Sequence, residues 1–503
     1  MKDLVSSFLS KKNINNEEDI KFENYIKGEA KLNSEKQYII ESSCYFDGNK
    51  DNFKRHYDEN KILEIHLNNM VFEEDLSFDN VKKLSLIIND NVKFNKLFIN
   101  NCNELYLQFN GRVEVIDKIS INNCKFKQIS INNHIDGNIE FQKCEFNDFN
   151  LYGFSNATIK GAFTFDFCEL KEKVNFMNFE FENKVSFKMS KFKDNVYFNN
   201  SHFKDYAYFH ECEFEKTACF YGVRFDKAPN FSQAIFKGNL NAVNANLNFT
   251  FDDLQERIEQ EYQEFNKNKK KEDKKSLDKF ANDFRDSFRT FKNALIKDNN
   301  LLDASNFHKY ELYCKEIELK NKKGKTFKDV VDRWQLFFYC KLCDHHTDIL
   351  QSLNSLILVI GIFVISSVAI VVGFNYSLGY KPILEHWYFS LDFYNHHINS
   401  IIQDNYLFMM AINVMILFIY LGLVGFALCL EYMREFFIII SYVITFLVLA
   451  VSPKILIPAM GIFTDKRAML DPLSVFGGIY TIIFGFVVYS FVKTIRKNSI
   501  VPS

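Results

Sequence analysis

A phenylalanine repeat of eleven residues restricts the fold of this chain more than any other feature. From Lys173 the sequence reads KVNFMNFEFEN, KVSFKMSKFKD, NVYFNNSHFKD, YAYFHECEFEK, TACFYGVRFDK and APNFSQAIFKG. The aligned aromatic residues are Phe176, Phe181, Phe187, Phe192, Phe198, Phe203, Phe209, Phe214, Phe220, Phe225, Phe231 and Phe236. Their spacing alternates between five and six residues, which fits neither the period of a helix nor that of one long strand.

A smaller residue stands two positions before most of these phenylalanines, as Val174, Val185 and Ala207 do. The pattern predicts a narrow coiled tube in which each short face contributes one large and one small inward side chain. The residues between them, mostly Asn, Lys, Glu and Asp, point outward. Stacked coils place Phe above Phe at the strand spacing of about 4.8 Å. A unit of this size cannot bury its own face, so its stability comes from neighbouring coils.

This pattern resembles the pentapeptide-repeat family in its Phe-rich form, over Phe163–Phe251. The resemblance implies a right-handed quadrilateral β-helix. Apolar–polar–apolar triplets such as Leu105–Leu107 and Ile129–Ile131 extend the solenoid back to about residue 65. With two eleven-residue repeats in each coil, we expect roughly eight coils. The predicted domains are therefore an N-terminal cap region over 1–64 and a β-solenoid over 65–251.

A helical connector and juxtamembrane segment is predicted over 252–350. Phe280, Phe284, Phe288, Phe291 and Leu295 follow one another at steps of four, four, three and four, which indicates an amphipathic helix. A second helix is predicted from about 302 to 320, and the two form an αα-hairpin.

A transmembrane domain is predicted over 351–503 from four uncharged runs, with spans at about 353–374, 405–430, 436–453 and 472–492. Crossing a hydrocarbon core takes about 20 helical residues. The third run is the shortest and ends at Pro453, so whether it crosses fully is left open. The expected fold class is thus multidomain: a solenoid, a helical hairpin and a four-helix transmembrane domain.

Basic residues flank both ends of the predicted membrane domain. They are Lys320, Lys322, Lys323, Lys325, Arg333 and Lys341 before it and Lys493, Arg496 and Lys497 after it. The positive-inside rule then places both termini in the cytoplasm, although Lys466 and Arg467 in a predicted outer loop oppose this. The first residues lack a signal-peptide core, and the eleven cysteines are expected to be free thiols. We expect a multi-pass protein of a bacterial inner membrane.

The hairpin FRTFKNAL…DNNLLDASNFHKYELYCKEIELK and the tail KTIRKNSIVPS look like those of membrane-anchored pentapeptide-repeat proteins in Campylobacter and its relatives. Soluble members of the family that mimic DNA are strongly acidic. Here 61 basic residues balance 63 acidic ones, so neither DNA mimicry nor nucleic-acid binding is expected.

One cluster has the residue types of a metal site: Cys340, Cys343, His345 and His346. Four such ligands fit zinc, but the usual second pair lies a dozen or more residues away. The alternative is an interfacial segment with Trp334, Phe337, Phe338 and Tyr339 as an aromatic belt. This alternative is favoured, so no metal or cofactor is expected.

Other candidate residues also have simple structural explanations. His386, His396 and His397 fall in a predicted outer loop with Asp392 and could sense pH. The same loop contains YFSL (Tyr388–Leu391), which resembles the start of a potassium-channel pore helix, but a TVGYG-type filter is absent. Lys454 is expected at the membrane interface. The solenoid cysteines Cys124, Cys144 and Cys212 are expected to be compact fillers.

The sequence contains no recognisable catalytic motif, so an enzyme is not expected. The predicted function is a membrane-anchored scaffold whose cytosolic solenoid binds a protein partner, with membrane lipid around the spans. A solenoid-regulated channel is the alternative, and homo-oligomerisation is left open.

Overall fold

The computed structural model describes residues 31–32, 38–40, 44–47, 49, 62–131, 135–147, 149–150, 158–267, 269–270, 274–377, 404–429, 431–451 and 471–498. The chain divides into two compact units, Met1–Gly324 and Lys325–Ser503. The boundary falls inside the predicted connector segment 252–350. Each unit is described by itself.

The first unit is a β-solenoid followed by three helices. Its strands are β1 (Lys31–Leu32), β2 (Tyr38–Ile40), β3 (Cys44–Asp47), β4 (Leu63–Leu67), β5 (Met70–Asp79), β6 (Lys83–Ile88), β7 (Val92–Asn100), β8 (Glu104–Phe109), β9 (Val113–Asn122), β10 (Lys125–Ile131), β11 (Ile135–Gln142), β12 (Glu145–Phe146), β13 (Phe149–Asn150), β14 (Thr158–Ile159), β15 (Phe163–Asp166), β16 (Glu169–Leu170), β17 (Val174–Asn175), β18 (Glu180–Phe181), β19 (Val185–Ser186), β20 (Lys191–Phe192), β21 (Val196–Tyr197), β22 (His202–Phe203), β23 (Ala207–Tyr208), β24 (Glu213–Phe214), β25 (Ala218–Cys219), β26 (Arg224–Phe225), β27 (Ile235–Phe236), β28 (Leu240–Asn241) and β29 (Asn246–Leu247).

Apart from the antiparallel pair β1–β2, the strands stack into parallel sheets that run along about eight turns of solenoid, as the repeat predicts. Phe181 pairs with Phe203 and Phe203 with Phe225, so one coil is 22 residues, or two elevens. The inward rings lie in continuous columns, and the Phe209 ring centroid is 5.1 Å from that of Phe187 and 4.5 Å from that of Phe231. These buried stacks form the core of the unit.

Asparagine turns the chain at many corners of the solenoid. Asn80, Asn101 and Asn123 have φ values of 56°, 56° and 53°, in the left-handed region that asparagine tolerates better than most residues. Their amides also stack, since Asn123 Nδ2 donates to Asn101 Oδ1 at 2.7 Å and Asn101 Nδ2 donates to Asn80 Oδ1 at 3.1 Å. Later coils place Phe167 and Met189 in the same conformation, which costs more for a side chain of that size.

Cysteine and serine occupy the small inward position of one column and donate hydrogen bonds there. Cys212 Sγ lies 2.7 Å from the carbonyl oxygen of Phe187, and Ser190 Oγ lies 2.6 Å from that of Phe165. The expected role as compact filler is therefore incomplete, because these groups also satisfy buried backbone carbonyls. Cys102 and Cys168 belong to the same column as Cys124, Cys144 and Cys212.

The coiled pattern also includes strands from the N-terminal region. β3 pairs in parallel with β5, and the Phe46 ring stacks on Phe78 at 4.8 Å. Cys44-Tyr-Phe46 repeats the small–x–Phe element, which the sequence analysis assigned to the cap region over 1–64. A single element among polar residues is a weak signal, and only the pairing with β5 identifies it.

Three helices cover the last coil: α1 (Phe251–Asn266), α2 (Leu277–Lys297) and α3 (Leu301–Asn321). The predicted αα-hairpin is confirmed as α2 and α3. The Phe291 ring of α2 lies 4.6 Å from Phe231, so it continues the aromatic column beyond the final turn. From α1, the buried Arg257 guanidinium lies 3.8 Å above the Tyr206 ring, and its Nη2 donates to Glu261 Oε1 at 2.7 Å.

The second unit is helical. It contains α4 (Phe327–Cys343), a 3₁₀ turn (Asp344–His346), α5 (Ile349–Ser377), α6 (Tyr406–Cys429), α7 (Glu431–Val451) and α8 (Pro472–Asn498).

Three helices in the described part of this unit are long and apolar enough to cross a membrane: Ile349–Ile370, Tyr406–Cys429 and Pro472–Asn498. The predicted span 436–453 begins inside α7 and ends beyond the described residues, so four spans remain a prediction. The handedness and four-sided section of the solenoid remain predictions too.

Close packing joins α5 and α7 at a small-residue crossing. A Cβ atom on Gly361 would lie 2.7 Å from the Cα atom of Ser441, so only glycine permits this approach. On the other side of α5, the Phe363 ring stacks 3.8 Å from Tyr480 of α8. These contacts hold the helices together around a buried aromatic centre.

We predict that Phe209→Ala destabilises the solenoid by about 3–5 kcal/mol, because it opens a cavity inside a continuous ring stack. Hydrogen exchange of the full chain, read by mass spectrometry, should show loss of protection in the coils on either side. Phe167→Ala is the matched control, since that ring is exposed at a left-handed corner. Equal losses of protection in both variants would contradict the stacked core.

Stability of the α2–α3 hairpin should depend on pH through Glu311. Burial opposes ionisation of this carboxyl, but hydrogen bonds from His308, Lys292 and Arg289 outweigh it and lower its pKa from 4.5 to about 2. Because the pKa of Glu311 is lower in the folded chain than in the unfolded chain, its ionised carboxylate stabilises the fold at pH values above about 4.5. This contribution is lost as the pH falls from about 4.5 to 2. We expect a loss of about 2 kcal/mol.

Exchange protection of α2 and α3 measured across this pH range should reveal that loss. Glu311→Gln should flatten the dependence, whereas Glu259→Gln on α1 should not. An unchanged pH dependence in Glu311→Gln would exclude this carboxyl as its source.

Candidate functional site

One face of the solenoid has only uncharged residues at its own outward positions, and two charged groups reach it from outside: Lys173 Nζ lies 4.8 Å from the Tyr197 ring centroid, and Asp303 Oδ2 accepts from the Asn244 N–H at 2.8 Å. It is formed by the outward residues of the four-stranded sheet β17–β21–β25–β28 and the turns that follow its strands. We call it the uncharged face, and its residues are Asn175, Met177, Asn178, Tyr197, Asn199, Asn200, Cys219, Tyr221, Gly222, Asn241, Val243 and Asn244. The Phe repeat does not predict this face, because that repeat concerns only inward positions.

Contacts within turns and between successive coils order the side chains of the uncharged face. Asn244 Nδ2 donates to the Tyr221 hydroxyl at 3.0 Å. Gly222 has a φ of 63°, and a Cβ atom there would lie 2.4 Å from Asn200 Oδ1, so glycine lets neighbouring turns stack closely. Asn175 Oδ1 accepts a hydrogen bond from the Met177 backbone N–H at 3.0 Å, which fixes that turn.

The neighbouring faces carry ladders of opposite charges instead. On the sheet that contains β20 and β24, Lys193 Nζ lies 2.6 Å from Glu215 Oε1, and Lys191 Nζ lies 3.6 Å from Glu213 Oε2. These pairs are exposed to solvent, where each contributes little stability. Their main effect is to keep those faces hydrated.

This contrast determines what the two kinds of face can do. Burying a lysine or a carboxylate against a partner costs desolvation energy that a surface ion pair rarely returns. Asparagine and tyrosine can be buried at lower cost and still donate or accept hydrogen bonds. The centres of protein interfaces are accordingly depleted of charge and enriched in tyrosine and methionine. The uncharged face shares this lack of charge and carries Tyr197, Tyr221 and Met177, although half of its twelve residues are asparagine.

The predicted metal-ligand cluster separates into two pairs in the second unit. Cys343 Sγ lies 3.4 Å from His346 Nδ1, whereas the ligand atoms of Cys340 and His345 lie within 4.8 Å of each other. The first pair faces α8, where His346 Nδ1 is 3.0 Å from Thr494 Oγ1 and Cys343 Sγ is 3.5 Å from Ser490 Oγ. Sequence reasoning missed both α8 hydroxyls, which lie almost 150 residues away along the chain.

The surroundings of the first pair favour neutral groups. Burial, with Lys493 and Lys497 nearby, lowers the pKa of His346 to about 4. Burial also raises the pKa of the Cys343 thiol. Two lysines beside a neutral imidazole disfavour a bound cation, so this pair is suited to linking the 3₁₀ turn to α8 through hydrogen bonds.

The 3₁₀ turn itself is strained. Asp344, His345 and His346 have φ values of 48°, 55° and 68°, and none of them is glycine. The surrounding side chains hold this conformation. Asn498 Nδ2 donates to the His346 carbonyl at 3.1 Å, and Thr347 Oγ1 donates to the Asp344 carbonyl at 2.6 Å.

Several predicted residues lie outside the described part of the chain. They are His386, Asp392, His396, His397, Lys454 and the YFSL segment. Of the expected aromatic belt, Phe338 and Tyr339 pack against Phe486 of α8, with ring centroids 5.9 and 5.8 Å away.

Comparison with known proteins agrees with this geometry. The family model for pentapeptide repeats (9 copies) matches residues 165–213, within the Phe-stacked coils. This segment belongs to the pentapeptide-repeat family. No curated protein and no solved structure matches the chain. The three apolar helices are compatible with a membrane-anchored form of pentapeptide-repeat protein.

The environments of the cysteines predict a wide range of thiol reactivity. Cys212 is fully buried and Cys102 nearly so, and burial raises the pKa of Cys102 to about 12, so both thiols stay protonated at neutral pH. Cys340 is only half-buried. We expect iodoacetamide to modify Cys340 more than about tenfold faster than Cys102 and Cys212.

Peptide mass spectrometry over a time course, with a denatured sample as reference, measures these rates. Cys340→Ser should abolish modification of the peptide that contains residue 340 and leave the slow reactions of Cys102 and Cys212 unchanged. Rapid modification of Cys212 in the folded chain would contradict its enclosure within the coils.

Proposed function

We propose that this chain is a non-catalytic membrane scaffold whose pentapeptide-repeat solenoid binds a protein partner through the uncharged face. The observation that carries the proposal is the contrast between this face and the charge-paired faces beside it. The middle strands of the face, β21 and β25, pair with a strand on each side, so their backbone groups are already paired along the coils, whereas β17 and β28 end the sheet. A partner would therefore contact side chains and turns rather than add a strand.

The membrane part of the proposal adds a fourth span and an orientation. In it, α5, α6, α7 and α8 cross a bacterial inner membrane and both termini lie in the cytoplasm. The support is the apolar length of three of these helices and the basic residues at both ends of the domain. The solenoid would then meet cytoplasmic proteins, and the membrane would confine the partner to its surface.

Photo-cross-linking in cells tests the proposed binding face. A photoreactive amino acid at Met177 should give an adduct with a cytoplasmic protein, whereas the same amino acid at Lys193 should not. Asn175→Lys places a charge on the uncharged face and should reduce the adduct at least about tenfold.

The matched control is Asn183→Lys. Asn183 is also exposed, and its Oδ1 also accepts a backbone hydrogen bond, from Lys184, but it lies beside charged residues. Equal loss of the adduct in both variants, or an adduct with a periplasmic protein, would contradict the proposal. Ion flux through vesicles that contain the full chain would instead favour the solenoid-regulated channel.

A further inference from the structure

The first half of α4 carries an apolar stripe that is open to solvent. Phe327, Val330, Val331 and Trp334 follow one another at helical positions i, i+3, i+4 and i+7, so they share one side of the helix. Their exposed fractions are 85%, 39%, 46% and 67%. We call these four residues the α4 stripe. Large apolar side chains so grouped and so exposed require a partner surface.

The helix that carries the stripe is well formed at its beginning. Thr326 is its N-cap, and its hydroxyl accepts from the Asp329 N–H at 3.2 Å while Asp329 Oδ2 accepts from the Thr326 N–H at 2.8 Å. This capping box fixes the first turn. The exposure of Phe327 therefore reflects its position on an ordered helix.

The α4 stripe is continuous with the surface of the apolar helices. Phe338, one further turn along the same side of α4, packs against Phe486 of α8. Phe486 lies within Pro472–Asn498, one of the helices able to cross a membrane, and is itself partly exposed. The side of α4 that is apolar and uncovered at its beginning thus meets, at its end, a helix that is long and apolar enough to cross a membrane.

Charge around α4 favours one class of partner. Residues 325–341 contain four basic residues, Lys325, Lys328, Arg333 and Lys341, against two acidic ones, Asp329 and Asp332, and Lys320, Lys322 and Lys323 precede them in the sequence. Apolar side chains on one side and excess positive charge around them are typical of helices that lie in the interface of an anionic bilayer.

We propose that α4 lies along the membrane surface, with the α4 stripe inserted at the boundary of the acyl chains and the basic residues among anionic headgroups. This inference rests on the proposed membrane insertion of the chain. It assigns a lipid-binding role to a segment beyond the spans and makes the bilayer, rather than a second copy of the chain, the occupant of the stripe.

Trp334 makes the proposal directly measurable. The chain has two tryptophans, Trp334 and Trp387, so Trp387→Phe leaves Trp334 as the only one. This full-length variant is reconstituted into vesicles of phosphatidylcholine with phosphatidylglycerol. Emission at short wavelength and strong quenching by brominated phosphatidylcholine are expected. Quenching should weaken in vesicles of phosphatidylcholine alone, and equal quenching in both would overturn the role of anionic lipid.

Two double variants in the Trp387→Phe background distinguish the effect of the α4 stripe from a general effect of substitutions in α4. Phe327→Asn with Val331→Asn removes apolar side chains from the stripe and should reduce quenching at least about twofold. Asp332→Asn with Gln335→Asn introduces the same residue at two positions of α4 away from the stripe and leaves every basic residue in place. It should preserve most of the quenching. Equal quenching in both double variants would overturn the role of the stripe.

Alkaline extraction of the same vesicles separates this inference from the proposed function. A chain that resists extraction while Trp334 is unquenched overturns the inference alone, and a chain released by alkali overturns membrane insertion as well. Unquenched emission at short wavelength that moves to longer wavelength on dilution with lipid would assign the stripe to a second copy instead.

Discussion

Stacking of phenylalanine between successive coils is the interaction on which the solenoid depends. A coil of 22 residues encloses too little apolar surface to be stable alone, and its rings are buried only because the next coil supplies rings at the same positions. The hydrogen bonds follow the same rule, since the backbone of each coil pairs with the coils before and after it. Outward residues take little part in this core, which leaves their chemistry free to differ from face to face.

Inward positions could be predicted from the sequence because stacking imposes a strict period on them. Phe187, Phe209 and Phe231 stand in one column, as their spacing predicts. The α2–α3 hairpin was also predictable, since its apolar residues recur at helical steps. Each case depends on a repeated requirement within a short stretch of chain.

Outward and long-range features could not be predicted in this way. The uncharged face becomes visible only when residues 22 positions apart are aligned by strand pairing. The meeting of Cys343 and His346 with Ser490 and Thr494 depends on how helices pack, which local spacing does not encode. The four residues at 340–346 resembled one metal site in sequence, yet a left-handed turn directs them into two separate pairs.

The last coil presents an open strand edge and a stacked ring, Phe231, as the Phe-rich coils before it do, so nothing within the repeat specifies where stacking should end. Phe291 occupies the place that the next phenylalanine would take, but it belongs to a helix that cannot propagate the pairing. The α1–α3 segment therefore acts as a terminator of a one-dimensional assembly. The number of coils is thus set by where the helical segment begins, and not by the repeat itself.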